Sequence, residues 1–171
     1  MTENSGGDGD VYADVVAVDF ADIPDDSLIM QFFAYWRSIA KGAAMPARPD
    51  LDPIDIPTII PWMFLINVLR QPNGIDFRYR LVGGRNAELV RQDGIGKLVG
   101  EAFPEATAAL MRHSYMEVVE RCRPLCWQAS VPERNRAFVA CYRALFPFSA
   151  DGQTVNLIAG LLMPIDRRLS R

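Results

Sequence analysis

Apolar residues recur every three or four positions in two segments of the chain, which predicts two amphipathic helices. The first runs from about Leu28 to Ala40, where Phe32 and Trp36 belong to a wide apolar face. A face of this width must pack against a large surface. The second helix is predicted from about 104 to 121, and its apolar positions are Ala108, Met111, Tyr115, Val118 and Cys122.

Short apolar or alternating stretches between turn residues predict five strands. The first two, at about 62–70 and 75–82, flank the turn-like sequence QPNG. Three more, at about 124–131, 137–148 and 154–163, come late in the chain. Along the second strand the alternation predicts one face of Phe77, Tyr79 and Leu81 and another of Arg78, Arg80 and Val82.

The order of these elements predicts an α+β fold, with a five-stranded antiparallel sheet, helices on one face and an N-terminal helix extension. Strand 137–148 is apolar on both sides, so the opposite face of the sheet must also be covered. Either the helix over 28–40 or a second subunit would cover it. Phe32 and Trp36 are the candidates for that interface.

Length and composition predict one ordinary globular domain. The chain has 171 residues, of which 50% are hydrophobic and 23% charged. No apolar run reaches the roughly 18 residues that span a bilayer. The opening MTENSGGDGD is polar and acidic, unlike a secretory signal, which predicts a cytoplasmic protein. The bases are scattered and not interleaved with aromatic residues, which argues against nucleic-acid binding.

Charge divides the chain unevenly. Residues 1–26 hold eight of the 21 acidic residues and none of the 18 basic ones. We therefore predict an acidic, partly disordered leader over 1–26, a domain over 27–165 and a short basic tail over 166–171. Residues 11–20 are apolar enough to dock as a short strand or helix. An alternative is that the leader lies on an arginine-bearing face and competes with a partner.

The three cysteines are predicted to be free thiols. Cys122 and Cys126 are four residues apart, which is not the spacing of a CxxC pair, and the chain has one histidine, His113. These counts argue against a zinc site, and we predict no metal.

Several spaced motifs resemble those of PAS domains, and in particular the bacterial single-domain family PAS_5. They are Tyr35-Trp36, then Pro46, Arg48, Asp50 and Asp52-Pro53, then FRYRLVG at 77–83, then Gly100. The resemblance extends over about residues 27–163. It implies a sensory or signalling module that is not an enzyme.

The stretch VGGRNAELVRQ, residues 82–92, resembles the segment after the second PAS strand. Gly83 and Gly84 are expected to turn the chain there, and Asn86 to cap a short helix. A light-sensing flavin relative would carry a reactive cysteine where Ala87 stands, which argues against a photoadduct. Haem-binding relatives use a helix histidine, but a lone histidine such as His113 is more often a surface or packing residue. The cofactor therefore stays unknown.

Six residues are candidates for lining a ligand pocket: Tyr79, Arg80, Asn86, His113, Cys141 and Arg143. Arg80 has two readings: a buried arginine paired with a carboxylate of the proline-rich segment 43–61, such as Asp50, Asp52 or Asp55, or an anion anchor in a pocket. Cys141 as a nucleophile would need a base, and His113 is the sole histidine. Catalysis is therefore not predicted.

These observations favour a non-catalytic sensory module that binds a small ligand, an unidentified signalling protein or a second copy of itself. The alternative is an adaptor with a filled core that binds proteins through the outer face of its sheet. A small enzyme working through Cys141 is the third hypothesis.

Overall fold

The computed structural model describes residues 12–90, 94–132 and 138–165 of the chain. Six strands form one antiparallel sheet in the order β1-β4-β5-β6-β2-β3. The strands are β1 Ala13–Val18, β2 Met63–Gln71, β3 Gly74–Val82, β4 Leu125–Pro132, β5 Phe138–Ser149 and β6 Val155–Pro164. The helices are α1 Leu28–Ala40, α2 Gly84–Val90, α3 Val99–Ala102 and α4 Glu105–Arg121.

The predicted α+β fold is confirmed, with six strands in the sheet instead of five. The additional strand is β1, which pairs antiparallel with β4 and places Val16 opposite Gln128. It belongs to the segment 11–20 that was expected to dock as a strand or helix. Residues 1–11 and the tail 166–171 lie outside the described residues, so the leader and tail stay predictions.

Helix α1 forms where the apolar pattern predicts it. The Ser27 hydroxyl accepts a hydrogen bond from the Met30 amide, which caps the first turn. The chain leaves the helix at Lys41 in the left-handed conformation, with φ of 51°. A cap and a stop at these positions fix which side chains α1 presents to the sheet.

The segment between α1 and β2 contains five prolines and forms only short 3-10 turns, Arg48–Asp50, Pro53–Asp55 and Ile60–Trp62. Ile56 and Ile59 are buried, whereas Ile54 is 84% exposed. The Asp52 side chain accepts a hydrogen bond from the Ile54 amide, which points the start of this turn outward. The segment is therefore anchored at its centre and end.

The two faces of the sheet carry different helices. Odd-numbered residues of β5, including Arg143, face α4, and even-numbered ones such as Phe146 face α1. The rings of Phe32 and Phe146 meet edge to face, with centroids 4.8 Å apart. Trp36 Nε1 donates to the Pro147 carbonyl at 2.9 Å. Helix α1 thus covers the second apolar face of β5. Of the two covers that the sequence allowed, the helix over 28–40 or a second subunit, the structure has the helix.

A β-bulge changes the alternation along β3. Leu65 pairs with Leu81, but the next residue of β2, Ile66, pairs with Tyr79. Arg80 is therefore an extra residue without a partner, and such a residue reverses the facing of those beyond it. The prediction for Leu81 and Val82 is wrong for this reason: Val82, not Leu81, lies on the Tyr79 side, against α2 and α3.

Gly83 is required for close approach of two backbone segments. A Cβ atom there would overlap the carbonyl oxygens of Ile60 and Pro61. Neither Gly83 nor Gly84 has a positive φ. The expectation that they turn the chain through a conformation open only to glycine is therefore wrong. The Gly83 amide instead donates to the Met63 carbonyl at 2.7 Å, and α2 starts at the next residue.

Candidate functional site

A small cavity lies between the sheet and helices α2–α4. Its walls are mainly aromatic and apolar, and the residues around it are Tyr12, Phe64, Tyr79, Val82, Asn86, Gly94, Ala102, Phe103, Met111, Tyr115 and Arg143. The volume is about 30 Å³, which is room for about two water molecules. Any larger occupant would require a side chain of the wall to move.

The sheet side of the cavity is shaped by Phe64 and Gly160. These two residues are paired between β2 and β6, and a Cβ atom at Gly160 would overlap the Phe64 ring. The absence of a side chain at Gly160 therefore lets the ring lie across the sheet. The ring centroid is 6.2 Å from that of Tyr79, so the two aromatic residues form adjoining parts of the wall.

Arg143 is the charged group of the cavity wall, and its side chain is 4% exposed. The Nη1 atom donates to Ser114 Oγ at 2.8 Å, and that hydroxyl donates to the Met111 carbonyl at 2.8 Å. The guanidinium carbon lies 4.9 Å from the centroid of Tyr115, with the rings of Phe64 and Trp127 at 5.9 and 6.0 Å. The aromatic faces attract the cation.

The Nη2 atom of Arg143 has no hydrogen-bond partner in the part of the chain that the structure describes. Among the described residues, the ion pairs join Arg85 to Glu88, Arg112 to Asp76 and His113 to Glu117, so none involves Arg143. The described part of the cavity lining contains no carboxylate. A buried cation without a neighbouring negative charge is unusual, because desolvation of the charge is costly.

Tyr79 and Tyr115 form a hydroxyl pair in the same wall. Their oxygens are 2.8 Å apart, and either can be the donor. Burial, and next the neighbouring Tyr115, raise the pKa of Tyr79 well above its usual value. The Tyr79 phenol therefore keeps its proton. Since the pair uses one hydroxyl hydrogen internally, the accepting tyrosine retains a hydrogen for another acceptor.

Asn86 lies in the cavity wall but does not cap a helix. It is within α2, because the helix starts at Gly84, and the prediction of a cap at Asn86 is wrong. The Nδ2 atom donates to the Trp62 carbonyl at 3.1 Å. Asn86 thus ties α2 to the 3-10 turn before β2, and its side chain is 4% exposed.

Tyr12 closes the cavity from the edge of the sheet. It immediately precedes β1, its side chain is 5% exposed, and its ring meets Phe103 edge to face at 6.5 Å. Burial raises the pKa of Tyr12 above its usual value, against the lowering effect of Arg143. A residue of the segment 1–26 therefore takes part in the wall.

Three of the six pocket candidates lie in this wall, namely Tyr79, Asn86 and Arg143. Arg80 is exposed, as is Arg78 on the same side of the edge strand β3, which corrects both sequence readings of it. The side chain of His113 is 76% exposed and lies 3.1 Å from Glu117, on the solvent side of α4. Cys141 is fully buried on the same face as Arg143, yet it does not line the cavity.

The two interface candidates are interior residues. Phe32 is 0% and Trp36 6% exposed, because both pack on β5. Neither can contact a second subunit unless α1 leaves the sheet, and the assignment of these side chains to a subunit interface is corrected accordingly.

Cys126 and Cys141 have the character of buried structural residues, whereas Cys122 is partly exposed. Cys122, Cys126 and Cys141 are free thiols. Burial raises the pKa of Cys126 and of Cys141 to about 12 in each case, so the nucleophilic thiolate is suppressed at neutral pH. Within the described ranges, no group of three or more His, Cys, Asp and Glu is placed to hold a metal.

Sequence reasoning missed several wall residues, among them Tyr12, Phe64 and Tyr115. Tyr115 did belong to the predicted apolar stripe of the long helix, but a stripe does not distinguish core from cavity. Tyr12 lay in a short apolar segment outside the motifs. Phe64 lines the cavity because its cross-strand partner is Gly160, and this pairing of two residues distant in sequence cannot be read from a local pattern.

The fold and cavity define a class: an antiparallel sheet with helices enclosing a small interior space, as in sensory domains. The family model for PAS_5, a PAS domain, matches residues 25–163. The chain belongs to this family, which supports a general sensory or signalling role. No curated protein matches the sequence. No helix of the described part is both long and apolar enough to cross a membrane.

Proposed function

We propose that this chain is a non-catalytic sensory module that binds a small ligand in the cavity between its sheet and helices α2–α4. The supporting observation is the position of Tyr12, which is at once a wall of the cavity and the residue next to the edge strand β1. Occupancy of the cavity and docking of β1 are therefore physically linked.

The link follows from the size of the cavity. Room for about two waters means that a larger ligand must displace a side chain. Tyr12 is the wall residue best placed to move, because β1 pairs only with β4 at the sheet edge. Val15 and Val16 of this strand are 42% and 61% exposed, so these two side chains contribute little apolar burial. A ligand that displaced Tyr12 would shift the population toward an undocked β1.

Undocking of β1 would supply the output. It would free the edge of β4, whose backbone groups could then pair with another strand. The occupant would be an unidentified signalling protein or a second copy of this chain. Helix α1, on the opposite face of the sheet, would be affected only indirectly.

A capture experiment tests the ligand. The immobilised full chain is exposed to a low-molecular-weight cell extract, and retained compounds are identified by mass spectrometry. Ala102→Leu adds bulk to the cavity wall, and Ala106→Leu adds the same bulk on the exposed side of α4. We expect the wild type and Ala106→Leu to retain a compound that Ala102→Leu loses. Retention of nothing, or of the same compounds by all three proteins, would contradict the proposal.

Hydrogen exchange tests the output. With the captured compound bound, amides of β1 should exchange faster, while amides of β2 paired with β6 should not. Unchanged exchange in β1 would separate ligand binding from the proposed role of this strand.

A second candidate is a ligand-free adaptor, and the small volume of the cavity favours it. Small-molecule sites usually measure roughly 300–1,000 Å³, whereas this one measures about 30 Å³. For an adaptor, protein partners would bind equally to the wild type and to Ala102→Leu. For a sensor, Ala102→Leu, which fills the cavity, would bind protein partners differently from the wild type.

A further inference from the structure

Arg143 carries a charge that no described group of the protein neutralises. Its side chain is buried, and only Nη1 has a hydrogen-bond partner, the Ser114 hydroxyl. Replacing a buried ionic group by an apolar one is often neutral or stabilising. A methionine at this position would keep the contacts with Tyr115 and Trp127 without an unpartnered donor. The arginine is therefore poorly explained by packing alone.

The aromatic surroundings account for part of the cost. Tyr115, Phe64 and Trp127 place their rings within about 6 Å of the guanidinium carbon. Cation–π attraction offsets some of the desolvation, but it leaves the N–H bonds of Nη2 without an acceptor. A buried donor without an acceptor is destabilising.

The other polar groups around the cavity also include donors. The Tyr79–Tyr115 pair retains one hydroxyl hydrogen after its internal hydrogen bond. The described lining of the cavity includes no Asp or Glu side chain. A positive charge and a spare hydroxyl hydrogen in the wall of a small cavity are complementary to an anion with oxygen acceptors.

We propose that the cavity receives a compact monovalent oxyanion, a small carboxylate in the first instance, with one oxygen bound to Arg143 Nη2. This inference rests on the proposed function, because it specifies the ligand class for the same cavity. Formate would fill the room for about two waters, and acetate or a longer carboxylate would displace Tyr12. A dianion fits less well, since Arg143 is the sole charged side chain in the described part of the lining.

The test measures binding of sodium formate, acetate and nitrate to the full chain at constant ionic strength. Thermal unfolding and the side-chain Nε–H signal of Arg143, observed by NMR, are the two readouts. Acetamide is the neutral match for acetate. We expect saturable stabilisation and a shifted Arg143 signal with the anions and neither with acetamide. Nitrate binding without acetate or formate binding would reassign the site to inorganic oxyanions and overturn the carboxylate assignment.

Two variants separate recognition from structure. Arg143→Met should fold with stability equal to or above that of the wild type in anion-free buffer, and should weaken acetate binding at least about tenfold. Arg80→Met removes an exposed arginine adjacent to Tyr79 and should leave acetate binding unchanged. Retained binding in Arg143→Met would show that the anion binds elsewhere.

If Arg143→Met does not fold, the wild-type NMR titration decides alone, with Arg143→Lys used to assign the signal. An Arg143 signal that acetate does not move would overturn the proposal. Capture of a neutral compound from the extract, together with no response to the anions, would retain the sensory function and reject the ligand class. Capture of nothing and no response to anions would reject both.

Discussion

The hydroxyl oxygens of Tyr79 and Tyr115 lie 2.8 Å apart, and this hydrogen bond connects β3 to α4 across the cavity wall. Tyr79 comes from the edge strand opposite to β1, while Tyr115 comes from the centre of the long helix. The bond therefore fixes the separation of helix α4 and the sheet at the cavity wall. Since both side chains are buried, its loss should be measurable.

We expect Tyr79→Phe and Tyr115→Phe each to lower the free energy of unfolding by about 1–2 kcal/mol, because each leaves the other hydroxyl without its partner. The double variant should lose less than the sum of the two. Urea denaturation of the four proteins gives a coupling energy, expected at about 0.5–1.5 kcal/mol. Tyr142→Phe, half-buried on the other face of β5, is the control. Additive effects of the two substitutions would show that the contact contributes little.

Gly160 controls the position of Phe64. Gly160→Ala should destabilise the fold by about 1–3 kcal/mol, as overpacking of a core does, because the new Cβ would overlap the Phe64 ring. The displaced ring would enter the cavity. In a Phe64→Leu background, Gly160→Ala should therefore lower the free energy of unfolding by less than it does in the wild type. Without any such rescue in chemical denaturation, the two residues would not be coupled as the structure indicates.

Phe32 and Trp36 act within one chain. Phe32→Ala should lower the free energy of unfolding by about 3–5 kcal/mol, since it empties a fully buried site. Trp36→Phe should cost about 1 kcal/mol or more through loss of the hydrogen bond to Pro147. Ala34→Gln, exposed on the same helix, should change little. Size-exclusion chromatography is the contrasting readout: a variant that changes the oligomeric state without changing stability would restore an interface role.

Local patterns predicted the elements, and distant pairings set the site. Helix α1 and strands β2 to β6 follow from the sequence, because their apolar residues recur at helical spacing or form short runs between turn residues. The bulge at Arg80 could not be predicted, since it depends on the register with β2, and it places Val82 in the wall. His113 was singled out for its chemistry, but its place on α4 puts it outside the apolar stripe. The place of Tyr12 in the wall could not be predicted either, because it depends on the pairing of β1 with β4.

The cysteines provide a test of burial by chemistry. In the native protein near pH 8, a thiol reagent should label Cys122, which is partly exposed, well before Cys126 or Cys141. Burial keeps the last two protonated and inaccessible, since it raises the pKa of each to about 12. Denatured protein should expose all three. Mass spectrometry of the labelled peptides distinguishes the sites, and rapid native labelling of Cys141 would revive a nucleophilic role.

The two buried thiols, Cys126 and Cys141, should make stability depend on pH in the alkaline range. Burial raises the pKa of each to about 12 in the folded chain, against about 8.5 in an unfolded one. Because the folded chain holds these protons more tightly, it gains a stabilisation that is complete at a pH below the unfolded-state pKa. This stabilisation is lost as pH rises through the folded-state pKa. Between pH 9 and 10 each buried thiol should lower the free energy of unfolding by roughly 1 kcal/mol. Cys141→Ala should lower stability at pH 7 yet show a shallower decline in this window. An identical decline in wild type and variant would mean that Cys141 does not hold its proton more tightly in the folded state.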